Sequence, residues 1–496
     1  MSTISRRTML LGTAGGILTI GGLAACGASS GSTVAPTSEA VRRAERARQA
    51  VGQRTVTALL SAAPAGLDLG GPRVRTWAYG DSVPGPLLRA TAGDRMHVVV
   101  DNALPDTTSV HWHGVALRND MDGVPGMTQQ PIGADSRFTY DFTVPDSGTY
   151  FYHPHTGVQL DRGLYGVLVV DDPREAGGYD AEWVVVLDDW VDGTGQTPDD
   201  VLAGLRQGGG SGMDHGSMGG MGMGGMGEGS QSPLLGGAGD VIYPHYLVNG
   251  RVPAAPVTLQ GKPGQRVRIR LVNAGSDTAF RVALGGHRLT ITHSDGFPVV
   301  PAVTDAVLVG MGERFDVLVT LGDGAFPLVA SAEGKTGQGL AVVRTAAGPA
   351  PPADAAPVEL TRTVLLGSDL RAAPEVQLPR QGVDRTHDLV LGGSMAGYRW
   401  TINGKTFDEA DPLEVRQGER VRLRLRNMTM MFHPMHVHGH TFGLRGTGVR
   451  KDTVIVRPMQ SIEVDLDANN PGQWATHCHN IYHAEAGMMT TLSYRA

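Results

Sequence analysis

Cysteine is scarce in this sequence, because 496 residues contain only Cys26 and Cys478. Cys26 lies in an N-terminal stretch that resembles an export signal, and its lipidation there would leave Cys478 without a partner. A disulfide framework within the chain is therefore not expected. Packed cores, rather than covalent cross-links, must supply most of the stability of the fold.

A basic surface is also missing, since the net charge is -7 and no basic stripe occurs. This balance excludes a nucleic-acid partner from our expectations. The 70 glycines and 30 prolines, with 41% hydrophobic and 18% charged residues, favour a loop-rich all-β protein. The length suggests about three domains.

The N-terminus carries the pattern of an exported lipoprotein. Arg6 and Arg7 resemble a twin-arginine signal, and the apolar run after them is too short for a comfortable permanent anchor. The run ends at Leu23-Ala24-Ala25-Cys26, which resembles a lipobox. We predict a twin-arginine lipoprotein signal over 1–26 and anchoring through lipidated Cys26 to the outer face of the cell membrane. An ordinary cleaved signal and an uncleaved anchor are the alternatives.

Short alternating runs between glycine, proline and aspartate begin near Thr55 and predict a sandwich or barrel fold. Residues 27–52 are expected to form a tether with a short helix in 38–52. An internal repeat sets the number of domains. In each copy an Asn follows a Gly by nine positions, in the pairs Gly93 and Asn102, Gly264 and Asn273, and Gly418 and Asn427.

We therefore predict three Greek-key β-sandwich or barrel domains, at 53–172, 173–355 and 356–496. A glycine-rich and methionine-rich insert at 207–239 interrupts the second domain, and we expect it to be a mobile loop. The insert is either a passive linker or a Cu(I)-binding segment, because thioethers are soft ligands that select Cu(I). Its methionines are Met213, Met218, Met221, Met223 and Met226.

Four His-x-His pairs are the strongest chemical pattern in the chain. They are His111 and His113, His153 and His155, His436 and His438, and His477 and His479. In a strand, residues i and i+2 share a face, so each pair can hold adjacent metal ions. Eight imidazoles from two homologous domains can hold three copper ions.

The repeat separates the domains that carry these pairs from the one that does not. His111 and His436 each lie nine residues after the repeat Asn, whereas the same register in the middle copy gives Val282-Ala283-Leu284. We interpret the middle domain as a spacer without metal. Its histidines, His245, His287 and His293, are expected to be structural.

A second metal site is predicted around Cys478, which points away from His477 and His479 if the segment is a strand. Its ligands are predicted to be His433, Cys478, His483 and axial Met488. One Cys, two His and a weak Met are typical of a blue-copper electron-transfer site. A tetrahedral zinc knuckle is the alternative, but such sites normally use two or more cysteines. Pro154 replaces the cysteine between His153 and His155, so no second blue-copper site is expected there.

With these motifs together, the chain resembles the three-domain multicopper oxidases of the laccase and bacterial cuprous-oxidase kind over nearly its whole mature length. The resemblance implies cupredoxin-like domains and four copper ions: one type 1, one type 2 and two type 3. It implies type 2 copper on His111 and His436. It implies type 3 copper on His113, His153, His155, His438, His477 and His479.

The resemblance also implies one-electron oxidation of a substrate at Cys478, coupled to four-electron reduction of O2 to water. Asp122 resembles the acidic residue that supplies protons, although an Asp-Gly turn would explain it equally. Some bacterial relatives have an acid directly after the blue-copper histidine, where this chain has Ala484. Glu485 follows, and it points to the opposite face if the segment is extended. An edge of His433 or His483 is expected to face a surface depression.

Cu(I) is the favoured substrate, and its oxidation to Cu(II) would serve copper detoxification. Met431 lies where cuprous oxidases place a substrate methionine, but Thr429 replaces the Asp that accompanies it. Phenols are an accompanying or competing substrate class, and the methionines near His433 could be apolar packing. A copper-storage or copper-delivery lipoprotein is the alternative from another class. The three repeats and eight histidines count against a two-domain nitrite reductase.

Overall fold

The computed structural model describes residues 32–175, 177–208 and 232–496, and it confirms the all-β prediction. The described residues form six sheets, two in each of three consecutive units, which we call the first, middle and third units. Each unit buries apolar side chains between its two sheets. Within the described ranges, no helix is long and apolar enough to cross a membrane.

The first unit contains β1 (Thr55–Asp68), β2 (Arg73–Tyr79), β3 (Leu88–Thr91), β4 (Arg95–Asn102), β5 (His111–His113), β6 (Ser136–Thr143), β7 (Gly148–His153) and β8 (Gly166–Asp171). Its sheets have the orders β2-β1-β4-β6 and β3-β8-β7-β5. Alternate residues of β4 are buried, as expected for a strand with one face on the core.

The middle unit contains β9 (Ala181–Trp190), β10 (His245–Val248), β11 (Val257–Gln260), β12 (Arg266–Asn273), β13 (Phe280–Leu284), β14 (Leu289–Ser294), β15 (Phe297–Thr304), β16 (Ala306–Val309), β17 (Arg314–Thr320), β18 (Ala325–Ala332), β19 (Gln338–Arg344) and β20 (Val364–Leu365). Its sheets have the orders β10-β9-β12-β17-β14-β15 and β11-β19-β18-β13-β16-β20. Because β20 joins this second sheet, the chain leaves the middle unit later than the predicted boundary after residue 355.

The third unit contains β21 (Arg385–Ser394), β22 (Arg399–Ile402), β23 (Leu413–Val415), β24 (Arg420–Asn427), β25 (His433–Val437), β26 (Phe442–Leu444), β27 (Arg450–Lys451), β28 (Thr453–Val456), β29 (Ser461–Asp467), β30 (Gln473–Cys478) and β31 (Met489–Tyr494). Its sheets have the orders β22-β21-β24-β29-β26-β27 and β23-β31-β30-β25-β28. The first four strands of each sheet follow the same order in all three units, and the middle and third units add further strands.

Helices are few and short in the part of the chain that the structure describes. The α-helices are α1 (Glu39–Arg48), α2 (Pro198–Arg206) and α3 (Ile481–Glu485). The 3₁₀ helices are Asn119–Met121, Gln159–Arg162, Val358–Thr361, Gly367–Asp369, Pro374–Val376 and Phe407–Glu409. Among the α-helices, α3 matters most for the site, because it begins shortly after Cys478 and contains His483.

The predicted tether over 27–52 is not a free spacer in its described part. Val34 N donates to Tyr494 O of the third unit at 2.9 Å. α1 lies within the stretch predicted to be helical, and its buried Glu45 accepts from Thr143 N of the first unit at 2.8 Å. The segment therefore joins the first and third units. The predicted signal over 1–26, including Cys26, lies outside the described residues.

The repeat asparagines have one structural role in all three units. Asn102, Asn273 and Asn427 are fully buried, and each side-chain amide donates to carbonyls of two separate segments. In the middle unit, Asn273 Nδ2 donates to Thr278 O and Val309 O at 2.9 Å. The side chain thereby fastens the loop that follows the repeat strand to the opposite sheet.

Replacing Asn273 by Ala should lower the free energy of unfolding by about 1–3 kcal/mol, because buried carbonyls lose their donor. Chemical denaturation of the purified protein measures the change. Asn469→Ala is the matched control, since Asn469 is exposed and should shift stability by less than about 0.5 kcal/mol. Equal stabilities for the two variants would show that the repeat Asn does not support the fold.

Candidate metal centre

The His-x-His pairs lie on neighbouring strands at the contact between the first and third units. In the first unit, β5 and β7 place His111 opposite His153. In the third unit, β25 and β30 place His436 opposite His477. Seven of the eight imidazoles are buried and His155 is half-buried. The strand pairing that the pattern predicted therefore brings all eight into one cluster.

Ring nitrogens group the eight histidines into two trios and a pair. His113, His153 and His479 form one trio, and His155, His438 and His477 form the other, with ligand atoms in each trio within 4.8 Å of one another. His111 and His436 remain as a pair, and both lie near His113. Each trio and the pair take residues from both units, so the cluster is complete only when the two units meet.

Backbone carbonyls fix the tautomers of several of these rings. His111 Nδ1 donates to Asp122 O, His436 Nδ1 to Asp452 O and His153 Nδ1 to Pro154 O, at 2.8 to 2.9 Å. The Nε2 atom of each of these rings then has a free lone pair and no hydrogen-bond partner among the described residues. A hydrogen bond at one ring nitrogen orients the imidazole so that the other nitrogen can bind a metal ion.

Burial favours the neutral form of His153 and His477, which is the form that binds a metal ion. Burial first, and neighbouring histidines second, lower the pKa of His153 well below its usual value and that of His477 to about 3. Unpaired nitrogens facing one another in a buried space are unfavourable unless something occupies that space. The donor set therefore fits metal ions that accept imidazole, copper among them.

Two buried carboxylates contact the cluster, and the sequence predicted one of them. Asp122 Oδ2 accepts from His438 Nδ1 at 2.9 Å, and Asp122 Oδ1 lies 3.2 Å from His111 Nδ1. Asp452 Oδ1 lies 3.1 Å from His113 Nε2. Burial raises the pKa of Asp452, but Arg314 outweighs burial and holds that pKa well below its usual value. No motif in the sequence marks Asp452.

The second predicted site is formed around Cys478 in the third unit. Cys478 Sγ lies 3.6 Å from the Nδ1 atoms of both His433 and His483, and those two nitrogens are 3.1 Å apart. All three side chains are fully buried. Met488 is also buried, and its backbone pairs with Cys478 N and His483 O at 3.1 and 2.9 Å. The four predicted residues thus lie together.

The segment after Cys478 is helical, so the extended arrangement considered for Ala484 and Glu485 does not occur. Asn480 caps α3 by accepting from Tyr482 N and His483 N. The helical turn brings His483 back to Cys478, which an extended chain could not do. Glu485 ends this helix, and burial raises the pKa of its carboxyl group.

Neither imidazole of the Cys478 site has an exposed edge, contrary to the expected surface depression. His483 Nε2 donates to Asp240 Oδ2 at 2.8 Å, and Tyr398 OH donates to the same oxygen at 2.7 Å. Thr429 Oγ1 lies 2.9 Å from His433 Nε2. Burial lowers the pKa of His483, but hydrogen bonds to Asp240 and Cys478 outweigh it and raise that pKa to about 10. No sequence pattern indicates a role for Asp240.

Four methionines lie within five residues of His433 along the chain. Met428 and Met430 are 46% and 67% exposed, Met431 is half-buried and Met435 is buried. Gly237, near the end of the predicted insert, packs against Met431, since a Cβ there would lie 3.6 Å from Met431 Sδ. The insert methionines Met213, Met218, Met221, Met223 and Met226 lie outside the described residues.

A cavity of about 560 Å³ opens beside both sites. Its lining includes His155 of the cluster, Tyr398, Phe407 and Glu485. The cavity therefore connects the half-buried His155 with the outside. His287 of the middle unit bonds within its own unit, where its Nδ1 donates to Gly285 O and its Nε2 accepts from Gly322 N.

Three segments of the chain, residues 66–175, 182–348 and 383–496, match the family described as multicopper oxidase. The multicopper oxidase MmcO of Mycobacterium tuberculosis is 51% identical over 480 residues, covering 95% of this chain and 94% of that protein. A copper resistance protein A homolog of Pseudomonas syringae is 30% identical, covering 82% and 87% of the two chains. The crystal structure of a multi-copper oxidase from Pseudomonas thermotolerans has a TM-score of 0.67 at 27% identity, covering 89% of this chain and all of that one.

Fold and site define a copper-binding protein built from three cupredoxin-like units. The chain belongs to the multicopper oxidase family and is an oxidoreductase that uses O2 as electron acceptor.

Proposed function

We propose that this oxidase couples the one-electron oxidation of Cu(I) to the four-electron reduction of O2 to water, and that it binds four copper ions. The type 1 ligands are His433, Cys478, His483 and Met488. The type 2 ligands are His111 and His436. The type 3 ligands are the two trios, His113, His153 and His479, and His155, His438 and His477. Copper, when bound, supplies the one-electron redox chemistry at Cys478 and the reduction of O2 at the cluster.

The backbone around Cys478 supports the proposal that substrate oxidation at Cys478 is coupled to O2 reduction at the cluster. His477 belongs to one trio and His479 to the other, so one peptide bond on each side joins Cys478 to both trios. His479 N also donates to Pro434 O, next to His433, at 2.6 Å. Electrons taken up at Cys478 therefore have a short bonded path to the oxygen-reducing cluster.

Asp122 is the proposed proton donor to the cluster. Its Oδ2 accepts a hydrogen bond from His438 Nδ1, and its buried Oδ1 has no hydrogen-bond partner among the described residues. That second oxygen faces His111, so the carboxyl group lies between one type 2 ligand and one type 3 ligand. A carboxyl group at this position would supply protons to the copper-loaded cluster without a large movement.

The observation that carries the choice of Cu(I) is the arrangement around Met431. Met431 N donates to Thr429 Oγ1 at 3.2 Å, and that hydroxyl is 2.9 Å from His433 Nε2. A thioether beside this loop offers a soft ligand close to the electron-accepting site. Gly237 brings the end of the methionine-rich insert to the same place. The similarity to a copper resistance protein A homolog agrees with a role in copper detoxification.

Phenols are the second candidate substrates, because the cavity beside Tyr398 offers room for an aromatic ring. Tyr398 and Asp240 would link such a ring to His483 through two hydrogen bonds.

We further propose that the protein is exported by the twin-arginine route and anchored to the membrane through lipidated Cys26. This location would place Cu(I) oxidation in the cell envelope.

Asp122→Asn should slow O2 reduction by about 10²-fold, because an amide cannot deliver a proton. The blue absorption of the Cys478 site should be unchanged. Stopped-flow reoxidation of the reduced protein by O2 measures the rate. Asp120→Asn is the control, since Asp120 binds Arg118 at 2.6 to 2.7 Å instead of the cluster. Unchanged reoxidation in Asp122→Asn would remove Asp122 from the mechanism.

Met431→Leu should lower oxygen uptake with a chelated Cu(I) donor about tenfold, equal to about 1.4 kcal/mol of substrate binding. Oxidation of a methoxyphenol should be unchanged, because leucine preserves the volume. Met395→Leu is the control, since Met395 is 51% exposed on a different turn. Deletion of residues 211–229 should lower Cu(I) turnover as well.

Fast phenol turnover with negligible Cu(I) turnover would make the protein a laccase and leave the methionines as packing. Release of bound copper without oxygen uptake would instead support a storage or delivery role.

A further inference from the structure

The turn between β16 and β17 of the middle unit reaches the histidine cluster. Gly312 lies at its centre with φ +81°, a backbone conformation that favours glycine. A Cβ at this position would lie 2.8 Å from His479 Cδ2 and 3.0 Å from His113 Cε1. The turn therefore packs its bare backbone against two rings of one trio.

Arg314, at the end of the same turn, joins all three units. Its fully buried guanidinium donates to both oxygens of Asp452 in the third unit, at 2.7 and 2.6 Å. Its Nε donates to Thr149 O of the first unit at 3.0 Å. The planar guanidinium fork fits such a two-point contact, which lysine cannot reproduce.

Asp452 links Arg314 to the histidine cluster. Its Oδ1 accepts from His113 Nε2 at 3.1 Å, and its backbone oxygen accepts from His436 Nδ1 at 2.9 Å. Nδ1 of His113 and Nε2 of His436 are consequently left facing the cluster, without partners among the described residues. Thr453 Oγ1 lies 3.1 Å from each of the two bonded ring nitrogens.

We propose that Arg314 is a positioning residue for oxygen reduction, which fixes Asp452 so that His113 and His436 present the correct nitrogens to copper. The inference rests on the proposed ligand roles of these two histidines. It makes the middle unit, which contributes none of the eight cluster histidines, necessary for the geometry of the oxygen-reducing cluster. This differs from a spacer, which would only hold the outer units at the right separation.

A buried Arg–Asp pair can also serve folding alone, without any effect on the cluster. A second buried arginine of the middle unit, Arg268, allows this structural role to be distinguished from the positioning role of Arg314. Arg268 is 3% exposed, lies on β12 of the same unit and binds Asp316 and Glu175. Neither carboxylate is among the hydrogen-bond partners of the eight cluster histidines. Lysine at 268 should therefore disturb packing of the middle unit without disturbing the cluster.

The test compares Arg314→Lys and Arg268→Lys with the copper-loaded native protein. We expect Arg314→Lys to keep the blue absorption of the Cys478 site and to alter the hyperfine pattern of the type 2 copper in electron paramagnetic resonance. Reoxidation by O2 should slow about tenfold. Arg268→Lys should keep the native spectrum and rate, whatever its unfolding midpoint.

A native type 2 spectrum and rate in Arg314→Lys, or an equal change in Arg268→Lys, would overturn the inference. If Arg314→Lys does not fold, Asp452→Asn is measured instead, because it preserves side-chain volume while weakening the contact to Arg314. An altered type 2 spectrum in that variant supports the inference, and a native one overturns it. Absence of type 2 copper from the native protein would contradict the proposed ligand roles themselves.

Discussion

The structure depends on one constraint, which is that eight imidazoles from two units are held with ring nitrogens facing one another. Such an arrangement is unfavourable in a buried space, because facing lone pairs do not satisfy one another. Backbone carbonyls and two aspartates hold the outer nitrogens in place. Bound metal then satisfies the inner nitrogens, so copper binding and the docking of the first and third units must stabilise each other.

The middle unit also contacts the metal-binding residues of the outer units. It reaches the Cys478 site through Asp240, which binds His483, and through Ser276 O, which accepts from Ile481 N at 3.1 Å. Asp277 accepts from Asn480, the residue that caps α3. The middle unit, which contributes none of the eight cluster histidines, is therefore in contact with the metal-binding segments of both sites.

The sequence was sufficient for the parts of the site that local geometry determines. The i, i+2 spacing of the histidines and the register of the repeat predicted which residues would share a strand face. Asp240, Asp452 and Arg314 were missed because their partners are 243, 339 and 138 residues away, and no local pattern encodes such contacts. The helical turn after Cys478 was also missed, since five residues are too few to show a period.

Copper content is the most direct test of this two-site architecture. We would measure copper per chain and the electron paramagnetic resonance spectrum for the loaded native protein and for Cys478→Ser. We expect four copper ions in the native protein, and three in the variant with the type 2 signal retained. About one copper per native chain, or loss of all copper from Cys478→Ser, would contradict an eight-histidine cluster that binds metal independently of Cys478.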